Sequence, residues 1–336
     1  MIILPEFWQV FLKTTQQASA IVSVVLNTLL TFLILFRSPK NLGSYKYLMI
    51  YITLFGISYS ITDAVTEPNI FSFEICFIVF RNFKRSIFTR EESLWLLCVL
   101  NGFFCALLAI FGVHFIYRYG ALNTNFRRKY LTGAKQVCLF LLPLFYGSSW
   151  CVLCGYCFHY DTQSDNFVRY RLLEVYDVRV EEIAYTIVNF YEKSKENGDQ
   201  LVANTTVFSA VACIWFMILS SFICSIYFGT KCYFQLAKSL STTDWNSKAT
   251  KSIQKQLFRS LVIQTFIPVI LIYLPVVTLF ALPMFNVDLG FAGSFVPVTI
   301  ALYPAIEPLP TMFIVKSFRD AIFCGQKTQF ETTISG

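Results

Sequence analysis

Charge is scarce in this chain. Only 14% of its 336 residues are Asp, Glu, Lys or Arg, against about 25% in a typical soluble domain. Apolar residues make up 56%, with 36 Phe, 18 Tyr and 5 Trp, and mean hydropathy is +0.58. No water-facing surface hides that much apolar side chain. An ordinary cytosolic enzyme, a disordered chain and a disulfide-stapled secreted domain are therefore excluded. There are two histidines, His114 and His159, and they have no partner motif. No G-x-x-x-x-G-K-[ST], H-E-x-x-H or G-x-S-x-G occurs, so nothing points to an enzyme or a cofactor. The N-terminus lacks the basic n-region and small-residue cleavage site of a signal peptide, so the first apolar run is expected to serve as the targeting signal.

Apolar runs are what the chain has instead. They are long and unbroken, unlike the ~10-residue alternating strands of a membrane barrel. Lipid admits only helices or closed barrels, and a helical span needs about 20 residues. Seven runs qualify: 18–36, 47–65, 93–117, 136–158, 206–228, 258–282 and 291–315. The expectation is an all-α membrane protein, a seven-helix bundle, with residues 1–17 before it and a tail over 316–336. Phe71–Phe80 is too short to span and contains Glu74; it is expected as a partly buried loop segment on the bundle.

Orientation follows from basic residues. With the N-terminus outside, 17 of the 27 Lys/Arg fall on the cytoplasmic side, counting Arg259 at the edge of span 6. The short loops 37–46 and 118–135 hold eight Lys/Arg and no acid, the bias that keeps a loop inside. The net charge of +7 is thus explained by membrane topology and not by nucleic acid. On this topology the sequon Asn204-Thr205-Thr206 is luminal and open to glycosylation, although close to span 5.

Cys151-x-x-Cys154-x-x-Cys157 followed by His159 suggests a metal cluster, but helical geometry spreads i and i+6 about 240° apart. Packing is the favoured reading. On the outer side, Cys76, Cys98 and Cys157 can supply one disulfide, with Cys76–Cys157 as one pairing and free thiols as the other reading. Asp63, near the outer end of span 2, is an intramembrane acid and so a functional candidate, or else a solvated helix end. Glu307 lies in Tyr303-Pro304-Ala-Ile-Glu307-Pro308-Leu-Pro310. Three prolines in seven residues break the hydrogen-bond ladder, and the freed carbonyls need partners on other helices. This segment is a switch hinge or a rigid kink. Pro268 and Pro275 kink span 6, and Tyr273 lies two residues before Pro275. Arg118, at the cytoplasmic end of span 3, is either a snorkelling residue in a tyrosine belt or a contact for a cytoplasmic partner. Lys316–Cys324 reads as an amphipathic helix on the inner leaflet, with Phe318, Ala321 and Ile322 on one face. Cys324 is a candidate for lipidation, and Thr328, Thr332, Thr333 and Ser335 are candidate phosphorylation sites.

Three stretches carry a resemblance: Phe36-Arg-Ser-Pro-Lys-Asn-Leu-Gly-Ser-Tyr-Lys-Tyr-Leu-Met-Ile-Tyr51, His114-Phe-Ile-Tyr-Arg-Tyr-Gly-Ala-Leu122, and Pro308-Leu-Pro-Thr-Met-Phe-Ile-Val-Lys316 with Phe318-Arg319. Together they resemble the nematode seven-transmembrane chemoreceptors of the Str class, the serpentine receptors that include the diacetyl receptor. The resemblance runs over nearly the whole chain and implies a G-protein-coupled architecture. Tyr117-Arg118-Tyr119 stands where rhodopsin-like receptors carry D-R-Y, with Tyr in place of the acid, so a local ionic lock is lost. Asn27 resembles the span-1 asparagine of those receptors. Glu307-Pro308 resembles the [ND]-P of N-P-x-x-Y, with Thr311 in place of its Tyr. Tyr273-x-Pro275 resembles the toggle W-x-P. The family's usual D-P-L-P reads E-P-L-P here. Span 2 has no mid-membrane acid, which puts a sodium site in doubt. The 159–205 stretch has no cysteine, so the rhodopsin-like bridge to span 3 cannot form.

The resemblance implies an olfactory receptor in the plasma membrane of sensory-neuron cilia. A small odorant or other environmental molecule would bind among spans 3, 5, 6 and 7, with Asn101, Phe104, Cys105, Trp215, Tyr273 and Thr278 as lining candidates by depth. Its partners would be that ligand, membrane lipid and a heterotrimeric G protein meeting Tyr117, Arg118 and Tyr119; Pro275, Glu307, Pro308 and Pro310 would form the switch. A ligand-gated cation channel of the insect odorant-receptor type is the alternative, but its N-terminus lies inside, against the charge bias. A transporter would show internal repeats and more buried ionisable groups.

Overall fold

The computed structural model describes residues 6–38, 45–84, 86–193, 201–241, 248–285, 287 and 289–323. Cys324 and the four candidate phosphorylation sites lie outside them. The elements run α1 (Glu6–Phe36), α2 (Tyr45–Thr66), β1 (Asn69–Phe73), β2 (Cys76–Asn82), α3 (Arg90–Leu122), α4 (Thr124–Tyr130), α5 (Ala134–Cys157), α6 (Thr162–Tyr176), β3 (Ile183–Asn189), β4 (Tyr191–Lys193), β5 (Leu201–Ala203), α7 (Thr205–Ser241), α8 (Lys248–Pro268), α9 (Leu274–Met284), α10 (Val296–Ile306), α11 (Leu309–Ile314) and α12 (Lys316–Phe323). A π-helical turn, Val269–Tyr273, joins α8 to α9. Among the described residues seven helical stretches are long and apolar enough to cross a membrane.

Helix α3 runs through the middle of the bundle. It starts with a capping box: Glu92 N–H donates to Thr89 Oγ1 at 3.3 Å and Thr89 N–H to Glu92 Oε2 at 2.8 Å, which satisfies two free helix-end donors. Lipid supplies no hydrophobic drive between helices, so small residues that allow close backbone approach hold them together. Gly102 of α3 and Gly147 of α5 do this. A Cβ added at Gly102 would lie 2.7 Å from the Gly147 carbonyl oxygen, and one at Gly147 would lie 2.8 Å from the Gly102 oxygen.

The largest departure from expectation is at one end of the bundle. Phe71–Phe80 is no loop: β1 and β2 form an antiparallel hairpin with Phe73 opposite Cys76, and β2 pairs with β3 in the order β1-β2-β3. The two-residue turn places Glu74 in the left-handed region, φ 49°. Residues 159–205 likewise contain α6 and strands β3 to β5. One face of the sheet, with Phe71, Phe73, Ile78, Phe80, Tyr185 and Ile187, buries Val168, Leu172 and Tyr176 of α6. The other face, with Ile70, Phe77, Ala184 and Val188, closes over the bundle. Asp161 caps α6 by accepting from Ser164 N–H and Oγ–H, both at 2.7 Å. These donors hold its carboxyl below the usual range. Arg90 ties the sheet to α3. Its guanidinium reaches Asp165 at 2.8 Å and the Ile183 carbonyl at 3.1 Å, and lies 3.9 Å from the centre of the Tyr160 ring.

Two further differences follow from this sheet. Helix α1 begins at Glu6, so residues 6–17 are helical. They dock on the end of α2 nearest the sheet, where Lys13 and Gln17 reach Glu67 at 3.0 and 3.1 Å and Gln16 reaches the Pro68 carbonyl at 2.8 Å. Asp63 is not a solvated helix end. It is 4% exposed, because the hairpin that follows α2 folds back over it. At the far end of the chain, Lys316–Phe323 forms α12 with Phe318 buried and Lys316 and Arg319 exposed.

Candidate functional site

The sheet roofs a cavity. Ile70, Phe77, Val79, Thr186 and Val188 close it from above. Its walls come from α2 (Tyr59, Asp63), α3 (Leu100, Asn101, Phe104), α5 and its C-cap (Trp150, Cys154 and Phe158), α9 (Val276, Leu279, Phe280) and α10 (Pro297, Ile300). Aromatic rings pack edge to face around it: Phe77 on Phe280 with centroids 4.9 Å apart, Phe104 on Trp150 at 5.9 Å, and Trp150 on Phe280 at 6.4 Å. Between these walls lies about 740 Å³ free of atoms, part of it open to the surroundings, which suits a small molecule.

Asn101 and Phe104 line this cavity. The other four lining candidates lie elsewhere. Cys105 is buried in α3 at 1% exposed. Trp215 is half-buried on α7. Tyr273 sits in the π turn with its ring 5.3 Å from Phe222, and the Thr278 hydroxyl donates to the Pro275 carbonyl at 2.7 Å. Sequence reasoning missed the roof and Trp150, because no local signal says which apolar side chain meets a void.

Below the cavity, polar side chains serve the prolines of span 7. Pro308 has no N–H, so the Pro304 carbonyl loses its ladder donor. Ser23 Oγ–H and Asn27 Nδ2–H of α1 donate to that carbonyl instead, both at 3.1 Å, and Ser60 of α2 donates to Ser23 at 2.6 Å. Gln264 of α8 grips Glu307 twice, at the carboxyl (2.8 Å) and the carbonyl (3.2 Å). Ser260 and Thr311 bond at 3.1 Å. Asn27→Ala removes one of the two donors to the Pro304 carbonyl, leaving Ser23, and should cost about 0.5–1.5 kcal/mol. A lowered melting temperature in nanodiscs checks this, and an unchanged one contradicts the assignment.

At the opposite end from the sheet, Arg118 is 1% exposed. Its Nη2–H donates to the backbone carbonyl of Gln254 at 2.9 Å, and its guanidinium lies 5.1 Å from the centre of the Tyr45 ring. The Tyr45 hydroxyl bonds His114 Nε2. Arg118 therefore latches α3 to α8 without an acid. Arg118 Nε and Gln254 Oε1 are both buried without a partner. Its neighbours do other work. Tyr117 OH accepts from Gln136 at 3.4 Å. The Tyr119 ring packs against Phe126 and Phe228 at 4.9 and 5.8 Å.

Cys98 and Cys157 carry no disulfide, so the Cys76–Cys157 bridge is not formed. Among the described residues no three His, Cys, Asp or Glu side chains come together as a metal site. Cys154 is buried in the cavity wall and His159 is exposed. Asn204 caps α7, its Oδ1 accepting from Val207 N–H at 3.1 Å.

A polar-capped, proline-broken span 7, an arginine latch at the end of span 3 and a cavity among seven spans point to a receptor. The family model described as serpentine type 7TM GPCR chemoreceptor Str matches residues 12–323. The chain belongs to this Str family. Among the relatives of this Str receptor is a Caenorhabditis elegans protein, G-protein coupled receptor str-217. It is 35% identical over 316 residues, covering 93% of this chain and 89% of that one. G-protein coupled receptor str-33 of the same organism is 27% identical over 92% and 89%. Serpentine receptor class r-10, also from C. elegans, is 28% identical over 98% and 96%. The Str family is a family of multi-pass receptors and not of enzymes.

Proposed function

We propose that this Str receptor is a chemosensory G-protein-coupled receptor of the plasma membrane, placed in sensory cilia, with the sheet end outside. The roofed aromatic cavity carries the reading. A small molecule binds there against α3, α5, α9 and α10. It favours the state in which α8 leaves Arg118, and only by its differential affinity for that state. The π turn and Pro275 between cavity and latch supply the flexible point, since such irregular turns mark functional sites. Release uncovers Arg118, flanked by Tyr117 and Tyr119, to a heterotrimeric G protein. Glu307, Pro308 and Pro310 let span 7 follow. Cys324 is a lipid attachment point on this reading.

The test is nucleotide exchange on purified heterotrimers by receptor-containing membranes, challenged with a panel of small volatile molecules. Exchange evoked by a member of the panel supports the reading. Ligand-evoked current without exchange would replace it with a channel. Orientation has its own check. The sequon Asn204-Thr205-Thr206 stands at the start of α7, so on this topology an endoglycosidase shift is expected and should vanish in Asn204→Gln. A C-terminal tag detected on unpermeabilised cells would reverse the topology.

A further inference from the structure

Among the described residues the cavity holds one carboxyl group and no base. Asp63 lines it, and no Lys, Arg or His does. Asp63 is 4% exposed, and among the described residues its carboxyl has no hydrogen bond or ion pair. Only its main-chain carbonyl is used, by Glu67 N–H at 2.9 Å. The nearby cations are engaged elsewhere. Lys13 is held by Glu67, Arg81 by Ser86 and the Phe88 ring, and Arg90 by Asp165. A buried carboxyl with no partner either holds its proton or takes a cation brought into the site, and a cation that fits the walls favours the second.

The rest of the wall says what that is. Tyr59, Phe77, Phe104, Trp150, Phe158 and Phe280 put six aromatic side chains around the same space. Aromatic faces attract a cation, most strongly where it is desolvated. A single acid in an aromatic, water-poor cavity suits a cation with a hydrocarbon body. A neutral carbonyl compound fits the walls but brings no charge to the acid.

We propose that the cavity is an amine site. A small protonated amine places its ammonium on the Asp63 carboxylate and its hydrocarbon part among the rings. The enclosed space suits a small amine. This inference rests on the cavity being the receptor's ligand site.

The experiment is thermal stabilisation of the purified full-length receptor in nanodiscs. Butylamine, isopentylamine and benzylamine are compared with ketones and alcohols of matched shape, on wild type and Asp63→Asn. Amines should stabilise the wild type saturably, with matched neutral molecules at least ~100-fold weaker, and Asp63→Asn should weaken the amines by ~100-fold or more. If Asp63→Asn fails to fold, the wild-type comparison of amine with neutral isostere decides alone. Stabilisation by the neutral molecules at equal or lower concentration overturns the amine assignment and leaves the cavity as the ligand site. Stabilisation by neither class overturns both.

Discussion

Arg118→Ala is expected to reach the cell surface at the wild-type level and to lose ligand-evoked G-protein activation by ~100-fold or more. The two halves of that result have different causes. Folding tolerates the change because the guanidinium is a buried charge whose Nε has no partner among the described residues, so its removal also removes a desolvation cost that offsets the lost Gln254 contact. The Gln254 carbonyl it releases still lies in a helix. Signalling does not tolerate it. An arginine at the centre of a protein–protein contact carries several kcal/mol, and this is the only cation in the Tyr117–Tyr119 triplet. Surface biotinylation and nucleotide exchange measure the two halves separately. Normal exchange by the variant would remove Arg118 from coupling.

Gly147→Val is expected to prevent surface expression. Even one methyl at this position meets the Gly102 carbonyl oxygen at 2.8 Å and the Ala106 Cβ at 3.1 Å. The first contact is backbone, so no side-chain rotation relieves it and α5 must move off α3. Overpacking a tight contact costs about 1–3 kcal/mol, and a β-branched side chain at a backbone-to-backbone crossing belongs at the top of that range. Trp150 lies one turn along α5 in the cavity wall, so any shift also deforms the site. Gly147→Ala should fold with a lower melting temperature and weaker ligand response. Wild-type expression and stability of Gly147→Val would show that these helices are not held by this crossing.

The sequence makes the bundle legible because each span is a continuous apolar run, and lipid demands that the run form a helix. The proline segment of span 7 was equally readable. Pro308 removes a donor, so the Pro304 carbonyl had to find another, and Ser23 and Asn27 provide it. The roof was not legible. Strands β1 to β3 are apolar on both faces, one toward α6 and one toward the bundle, so the period-2 alternation that marks a strand is absent. Missing the roof also misplaced Asp63, which is exposed at a bare helix end and buried once the hairpin folds over it. Depth along a helix found Asn101 and Phe104 but says nothing about rotation about the bundle axis, so Cys105, Trp215, Tyr273 and Thr278 stand away from the cavity. The acceptor of Arg118 could not be read at all, because it is a main-chain carbonyl that any residue at position 254 would supply.

In the proposed mechanism, occupation of the roofed cavity releases α8 from Arg118. Fluorescent amino acids at Arg128, beyond the end of α3, and Lys255, on α8, report that separation directly; both side chains are exposed. With the most potent compound of the volatile panel, the distance should lengthen by more than ~2 Å, the scale of a real rearrangement. The lengthening should saturate with the same concentration dependence as nucleotide exchange. Full exchange with an unchanged distance would contradict the latch.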